Sequence, residues 1–354
     1  VSVTGCGPQM ADAGWSAINA NSSTVYSGLT TGKLAALNAE SGLPRWEFPQ
    51  GKDQLSGFYS APAIGESLVV FGASDPTGRS NRVYGLDPAS GQQRWLFEGA
   101  RDTIVGDPLL SGDVVYVTSA DHNVYALDAA NGQVRWQFTT GNWVWSGVAR
   151  DGDRLFVGSM DKSVYALTAA DGQQVWRFQT EGAVPGTPAV ANGLVYAGDI
   201  ANTLYAIDAQ TGREVWRFRA GNWFWGRALV VDGTVYAGSL DGKVYALDAR
   251  TGAKRAGFGV DGTFATKGAV RAPIAYADGT LYVASEDMQV YALDAATVRS
   301  AGPTMPADRC LPLPLSREAR STEARRPARP LPWTPRRAAN AGCSRSLPSK
   351  RSTG

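Results

Sequence analysis

Hydrophobic and polar residues alternate along short segments that recur through most of the chain. The clearest copy, Val124–Phe138, reads VYALDAANGQVRWQF and contains two alternating stretches separated by a glycine-containing turn. Alternation with a period of two predicts β-strands, and a tight turn between two such stretches predicts a hairpin. Related copies begin at Leu34, Val83, Val164, Leu204 and Val244, and a truncated copy begins at Val290.

The tryptophan near the end of each copy sets the length of the repeat. Successive tryptophans lie 49, 41, 40 and 40 residues apart, at Trp46, Trp95, Trp136, Trp176 and Trp216. In the sixth copy Ala256 occupies the corresponding position. A period near 40 residues predicts stacked units, because one such unit cannot bury both of its faces alone.

Each unit divides into four strands. In residues 186–219 they read TPAV, LVYAGDI, TLYAIDA and REVWRFRA, separated by turns, and no segment longer than a turn has the period of an amphipathic helix. The sequence therefore predicts an all-β fold, a β-propeller of four-stranded antiparallel blades. Seven repeat starts are visible and the last blades are incomplete, so we expect eight blades in the intact parent sequence.

Composition adds information about charge and compartment. Of the 34 basic and 32 acidic residues, 12 and 3 lie in residues 298–354, so this tail carries +9 and residues 1–297 carry −7. A mildly acidic repeat region does not suit nucleic acid. No run of 18 apolar residues exists, which predicts no membrane-spanning helix. The three cysteines, Cys6, Cys310 and Cys343, form neither a disulfide framework nor a metal-binding spacing.

The two ends of the chain differ from the repeats. Residues 1–14 contain Val3-Thr4-Gly5-Cys6, a pattern similar to a bacterial lipobox, and we interpret them as a signal remnant with lipidation at Cys6; an unstructured terminus is the alternative. Residues 15–297 form the propeller. After Thr297 the pattern stops within one residue, and residues 298–354 hold 11 Arg and 9 Pro. We interpret this tail as disordered and frameshifted; a natural basic tail is the alternative.

The repeats resemble the PQQ-like repeat family of the quinoprotein alcohol dehydrogenase-like superfamily, whose signature is roughly A-x-D-x-x-T-G-x-x-x-W. One copy reads Ala206, Asp208, Thr211, Gly212 and Trp216, and the resemblance covers about residues 15–297. It implies that each repeat tryptophan docks between adjacent blades against a turn glycine. The five residues with this implied structural role are Trp46, Trp95, Trp136, Trp176 and Trp216.

A second motif is not explained by the repeat. GNWVWSG begins at Gly141 and GNWFWGR begins at Gly221, both in the loop from an outer strand to the next inner strand. The W-x-W spacing puts both indoles of a pair on one side of an extended segment. They either cap the core between blades or form a surface for a partner. The candidate partner-binding rim comprises Trp143, Trp145, Trp223, Trp225, Arg227, Arg101, Asp102, Lys267 and Arg271.

Residues for catalysis are scarce. His122 is the only histidine and lies in a predicted hairpin, so neither a histidine metal site nor a Ser-His-Asp triad with a nucleophile elbow is indicated. The aspartates Asp161, Asp199, Asp241 and Asp287 recur at a hairpin position where aspartate serves as a turn residue. We therefore assign no catalytic, cofactor-binding or metal-binding residue, and PQQ and calcium have no recognisable site.

The resemblance implies three kinds of function. The one we favour is a non-enzymatic, monomeric scaffold of the bacterial envelope, similar to the propeller lipoprotein of the outer-membrane assembly machinery. It would bind an envelope protein through loops on one face, would not bind nucleic acid, and would reach the membrane through a lipid on Cys6, on the periplasmic or extracellular side. The alternatives are a PQQ-dependent quinoprotein dehydrogenase-like protein and an extracytoplasmic ligand sensor.

Overall fold

The computed structural model describes residues 18–29, 31–51, 55, 57–74, 81–296 and 305–306. Cys6 and nearly all of the tail therefore lie outside the described residues. Within them every regular element is a β-strand, and no helix is long and apolar enough to cross a membrane. The predicted all-β class is confirmed.

The strands form seven antiparallel sheets, each built from four strands that are consecutive in the sequence. Blades 1 to 4 comprise β1 Ile18–Ala20, β2 Thr24–Leu29, β3 Lys33–Asn38, β4 Pro44–Phe48; β5 Ala63–Ile64, β6 Val69–Ser74, β7 Asn81–Leu86, β8 Gln93–Phe97; β9 Leu109–Ser111, β10 Val114–Thr118, β11 Asn123–Asp128, β12 Val134–Thr139; β13 Val148–Asp151, β14 Arg154–Ser159, β15 Ser163–Thr168, β16 Gln174–Gln179. Blades 5 to 7 comprise β17 Ala189–Ala191, β18 Leu194–Gly198, β19 Thr203–Asp208, β20 Glu214–Arg219; β21 Leu229–Val231, β22 Thr234–Gly238, β23 Lys243–Asp248, β24 Thr263–Ala265; β25 Ala275–Ala277, β26 Thr280–Ser285, β27 Gln289–Asp294, β28 Met305–Pro306.

The blades form a ring with the short first strands innermost, since β1 contacts β5, β5 contacts β9, β13 contacts β17 and β17 contacts β21. The seven repeat starts are thus seven blades of a β-propeller. The last blade is incomplete, as predicted, because its fourth strand is only two residues long. The expectation of an eighth blade in the parent sequence stays a prediction.

The hydrophobic core is divided into six clusters, and each one lies between two consecutive blades. The cluster between blades 3 and 4, for example, joins Tyr116, Val124 and Ala126 to Leu155 and Leu167. Alternation along each central strand produces this arrangement, because one set of side chains faces the preceding blade and the other set faces the following blade. Residues such as Val124 and Leu155 are completely buried.

Each repeat tryptophan lies between two blades. Trp136 of blade 3 donates its indole N–H to the carbonyl oxygen of Ala169 in blade 4, at 3.2 Å, and its ring lies against the turn glycine Gly172. Gly172 has φ +70°. A Cβ at Gly172 would lie 2.5 Å from the ring of Trp136. The turn therefore needs glycine for two reasons, the backbone angle and the space taken by the indole. Equivalent contacts join Trp46 to Gly91, Trp95 to Gly132, Trp176 to Gly212 and Trp216 to Gly252.

Blade 6 reaches the same packing with a different residue. Where the repeat has tryptophan this blade has Ala256, but two residues later Phe258 is buried, with 2% of its surface exposed. Its ring lies 5.4 Å from the ring of Tyr236, close to the 5.9 Å between Tyr196 and Trp216 in blade 5. The hydroxyl of Tyr236 also donates to a carbonyl of blade 7. Phe258 thus places an aromatic ring between blades 6 and 7, where the earlier blades have a tryptophan.

We expect Gly172→Ala to destabilise the fold more than Gly152→Ala. Both glycines have positive φ, which costs an L-residue about 1–2 kcal/mol. Only Gly172 also faces a tryptophan, and overpacking adds about 1–3 kcal/mol; no atom of the described residues lies within 4 Å of the Cβ position at Gly152. Urea denaturation of the two variants measures the difference. Equal losses would show that the indole contact places no constraint on the turn.

We expect Phe258→Ala to lower the free energy of unfolding by about 3–5 kcal/mol, since a buried aromatic ring is removed. Val260→Ala is the matched control in the same loop, because Val260 is 82% exposed and should change stability by less than about 0.5 kcal/mol. Thermal and urea unfolding check both variants. If Phe258→Ala leaves the free energy of unfolding unchanged, blade 6 packs against blade 7 without needing an aromatic ring at this position.

Candidate functional site

Two sets of loops meet at one end of the propeller, which we call the top face. One set runs from the outer strand of a blade to the inner strand of the next, and the other set comprises the hairpins between second and third strands. Backbone hydrogen bonds join them, for instance from Met160 N to Trp143 O at 2.8 Å and from Leu240 N to Trp223 O at 2.9 Å. The W-x-W loops therefore lie on the top face and are supported by neighbouring hairpins.

In blades 3 to 7 an aspartate of the hairpin between the second and third strands holds the neighbouring loop in place. The Asp161 carboxylate accepts hydrogen bonds from Gly141 N at 2.9 Å and from the Tyr165 hydroxyl at 2.5 Å. Burial and the bond to Asp161 raise the pKa of Tyr165 to about 12, so the phenol keeps its proton. The same brace joins Asp121 to Tyr125, Asp199 to Tyr205, Asp241 to Tyr245 and Asp287 to Tyr291. These aspartates have a structural role.

In each W-x-W segment the central residue faces the core and the first tryptophan faces the surface. Val144, between the two tryptophans of the first segment, is completely buried, whereas Trp143 is 44% exposed and Trp145 is half-buried. The two indoles stack with ring centroids 5.5 Å apart and an interplanar angle of 12°. In the second segment Phe224 is buried and Trp223 is 40% exposed. The central residue of each segment, not the tryptophans, caps the core between blades.

The indoles of the two segments meet above the ring. Trp145, from the loop into blade 4, lies 6.2 Å from Trp225, from the loop into blade 6. The guanidinium of Arg271, from the loop into blade 7, lies 5.0 Å above the ring of Trp225 and pairs with Glu286 at 2.8 Å. We call Trp143, Trp145, Trp225 and Arg271 the aromatic row. It joins loops of three different blades into one continuous surface.

The inner ends of the same loops surround the channel mouth. Asp107 accepts a hydrogen bond from Ala61 N at 2.7 Å, and Thr187 accepts one from Gly147 N at 2.8 Å, so a side chain of one blade binds the backbone of another. Enclosure by the surrounding blades raises the pKa of Asp107, although the Ala61 amide and the charge of Arg227 act in the opposite direction. Asp107 nevertheless remains exposed to water, as expected for a residue that lines a narrow channel.

Three further rim candidates are exposed: Arg101 and Asp102 on the loop into blade 3, and Lys267 on the loop into blade 7 that also carries Arg271. The backbone amide of Arg101 is held by Asp121 at 2.8 Å, and that of Lys267 by Asp287 at 2.9 Å. Asp102 accepts a hydrogen bond from its neighbour Thr103 N at 2.6 Å. The braces fix the backbone at these positions and leave the charged side chains of Arg101, Asp102 and Lys267 in solvent.

The channel mouth does not fit a calcium–quinone cofactor of the kind that the family resemblance raises. Calcium takes six to eight oxygen ligands, whereas the Asp107 carboxylate at the channel mouth is already engaged by the Ala61 amide. Within the described part of the chain no group of three His, Cys, Asp or Glu residues is arranged to hold a metal ion. No catalytic step can be derived from these residues.

Two features of the top face were missed by sequence reasoning. The aspartate–tyrosine brace could have been predicted from the sequence. Asp and Tyr recur four residues apart in four of the five braces, for example at Asp241 and Tyr245. No sequence pattern predicts the contact of Trp145 with Trp225. The two residues are 80 positions apart, and only the curvature of the ring brings their loops together.

Comparison with solved structures agrees with this architecture. A computationally designed protein, Ika8, has a TM-score of 0.70 at 18% identity, covering 86% of this chain and 89% of its own. BamB from Moraxella catarrhalis has a TM-score of 0.62 at 21% identity, covering 78% and 83%. The quinohemoprotein alcohol dehydrogenase ADHIIG from Pseudomonas putida HK5 has a TM-score of 0.61 at 15% identity, covering 78% of this chain and 62% of the enzyme. At such identities the likeness shows the fold alone.

A search of curated proteins finds no significant match. The family model described as outer membrane protein assembly factor BamB matches residues 32–144 and 142–267, which span most of the repeats. The predicted membership among PQQ-like repeat propellers is confirmed: the chain belongs to the outer membrane protein assembly factor BamB family.

Proposed function

We propose that this chain is a non-enzymatic scaffold of the bacterial envelope that binds a partner protein through its top face during outer-membrane protein assembly. The family supports the setting. The observation that carries the binding role is the aromatic row, in which Trp143 and Arg271 are exposed and the stacked Trp145 and the Trp225 ring stay half-buried beside them. Tryptophan and arginine dominate the binding energy of many protein interfaces.

The geometry of the aromatic row supports an anchor for a partner. Its side chains are held from below by braced loops, so little conformational freedom is lost when a partner binds. Arg271 is oriented on one side by Glu286 and on the other by the face of Trp225. Arg101, Asp102, Lys267 and Arg227 would surround this anchor as a polar rim, the usual arrangement around a hydrophobic centre.

We also propose a location for the protein in the cell. An envelope protein of this family would act outside the cytoplasm, and we propose a lipid anchor on Cys6, which lies outside the described residues. Mass spectrometry of the membrane-bound protein would detect the lipid on Cys6. Such a protein would work as a monomer whose top face is free to meet the partner.

We expect the double variant Trp143→Ala/Trp223→Ala to lose its envelope partner while remaining folded. Trp143 is 44% exposed and Trp223 is 40% exposed, and neither belongs to a core cluster of the described residues, so their loss removes contact surface and leaves the core intact. Affinity for the captured protein should fall tenfold or more, the usual effect of removing an aromatic anchor. Quantitative pull-down from envelope extracts, with thermal unfolding in parallel, measures both effects.

The matched control is Val134→Ala/Val215→Ala, which removes two exposed valines from outer strands away from the top face. It should bind like the wild type. If the tryptophan variant retains the same proteins as the control, the exposed indoles of the two W-x-W segments are not the binding anchors. If it unfolds, the indoles are structural.

We expect no dye-linked alcohol oxidation after PQQ and Ca²⁺ are added to the purified chain. The reason is that Asp107 at the channel mouth is engaged by the Ala61 amide, and that no three His, Cys, Asp or Glu side chains of the described residues are arranged to hold a metal ion. A quinoprotein dehydrogenase assayed in parallel is the positive control. PQQ-dependent turnover would contradict a scaffold and favour the dehydrogenase alternative.

A further inference from the structure

The two W-x-W segments have the same backbone arrangement. In both, an aspartate carboxylate accepts the N–H of the first glycine at 2.9 Å, and an asparagine side chain accepts the N–H of the first tryptophan at 2.8 Å. The amides of Val144 and Phe224 each donate to a carbonyl oxygen of the preceding blade at 3.2 Å. The backbone therefore offers the two tryptophans of each segment equivalent positions.

The side chains use these positions differently. In the first segment Trp143 and Trp145 stack on each other, with ring centroids 5.5 Å apart and an interplanar angle of 12°. In the second segment no ring contact joins Trp223 to Trp225 or to any other described aromatic residue. Trp225 lies instead under the guanidinium of Arg271, at 5.0 Å, and is tilted by 51° against Trp145. Equal backbones thus carry one stacked pair and one separated pair.

The neighbouring blade explains why Trp225 leaves its own segment. The loops are in register around the ring, so that Trp145 is followed by Pro185 and Trp225 is followed by Arg271. A guanidinium binds the face of an indole, whereas a proline carries no charge. Arg271 is held in place by Glu286, whose carboxylate accepts from its Nε at 2.8 Å. Arg271 is therefore the group that draws Trp225 away from Trp223.

Two positions of similar free energy are open to Trp225. One is the observed contact with Arg271, and the other is a stack on Trp223 that reproduces the pair of the first segment. A cation over an exposed indole and a stacked aromatic pair stabilise by comparable amounts, so neither contact excludes the other by itself. Trp225 is half-buried and next to Gly226, and residues 141–147, 221–227, 271 and 286 are all described. The choice between the two positions is then a two-state equilibrium set by a few side chains.

We propose that Trp225 is a switch that regulates the aromatic row. With Trp225 on Arg271, the row is continuous from Trp143 to Arg271, because Trp145 contacts Trp225 at 6.2 Å. With Trp225 stacked on Trp223, Trp145 loses this neighbour and the row is divided in two. The inference rests on the proposed function, in which the row binds the partner, and it names the residues that control whether the full surface is presented.

The indole positions can be read in the full chain without a partner. The sequence has 11 tryptophans, so fluorine NMR of the chain labelled with fluorotryptophan gives one signal per indole, and single Trp→Phe variants assign them. In Arg271→Ala the Trp223 signal should shift toward that of Trp143, because Trp225 then stacks on Trp223. Its sensitivity to replacing H₂O by D₂O should fall as the ring becomes covered.

Three further variants test the cause of that shift. In Arg271→Ala/Trp225→Ala the Trp223 signal should return to its wild-type position, because no indole is left to stack on it. Glu286→Gln should shift the signal in the same direction as Arg271→Ala but by less, since the guanidinium is no longer fixed. Arg101→Ala is the matched control, which removes an exposed cation from another top-face loop and should leave the Trp223 signal unchanged.

Two results would overturn the switch. One is an unchanged Trp223 signal in folded Arg271→Ala, and the other is a shift that persists in Arg271→Ala/Trp225→Ala. If Arg271→Ala does not fold, Glu286→Gln decides the question by the same signal. The measurement contains no partner, so its failure leaves the pull-down result standing, and a failed pull-down leaves the switch standing.

Discussion

The contact between an indole and a turn glycine, repeated at the junctions from blades 1–2 to blades 5–6, is the interaction on which the propeller depends. A four-stranded blade is apolar on both faces and is stable only when both are covered. The tryptophan of one blade covers the turn of the next, and its N–H satisfies a carbonyl there, so van der Waals contact and hydrogen bonding fix the same orientation. Where the tryptophan is lost, in blade 6, Phe258 packs against Tyr236 and joins the core cluster between blades 6 and 7. An aromatic ring thus fills this junction without the indole hydrogen bond.

The top face is built on a second repeated device. A carboxylate in each of five hairpins binds a tyrosine of its own blade and a backbone amide of a neighbouring loop. These braces turn the loops into rigid supports, which lets them hold large apolar side chains in solvent without collapse onto the core. The aromatic row is the result, and its position over the channel follows from the curvature of the ring.

The sequence by itself determined the fold class, the number of blades and the incomplete last blade. These follow from local alternation and from a period that tryptophan and glycine mark, and both are properties of neighbouring residues. It also identified the W-x-W segments as exceptional, but it left open whether they face the core. Only the tertiary structure decided that Val144 and Phe224 are buried while the tryptophans are exposed. The contact of Trp145 with Trp225 and the stacking of Arg271 on Trp225 likewise depend on how the blades meet around a ring. No local pattern encodes these contacts, because the residues come from separate repeats and only the curvature of the ring brings them together.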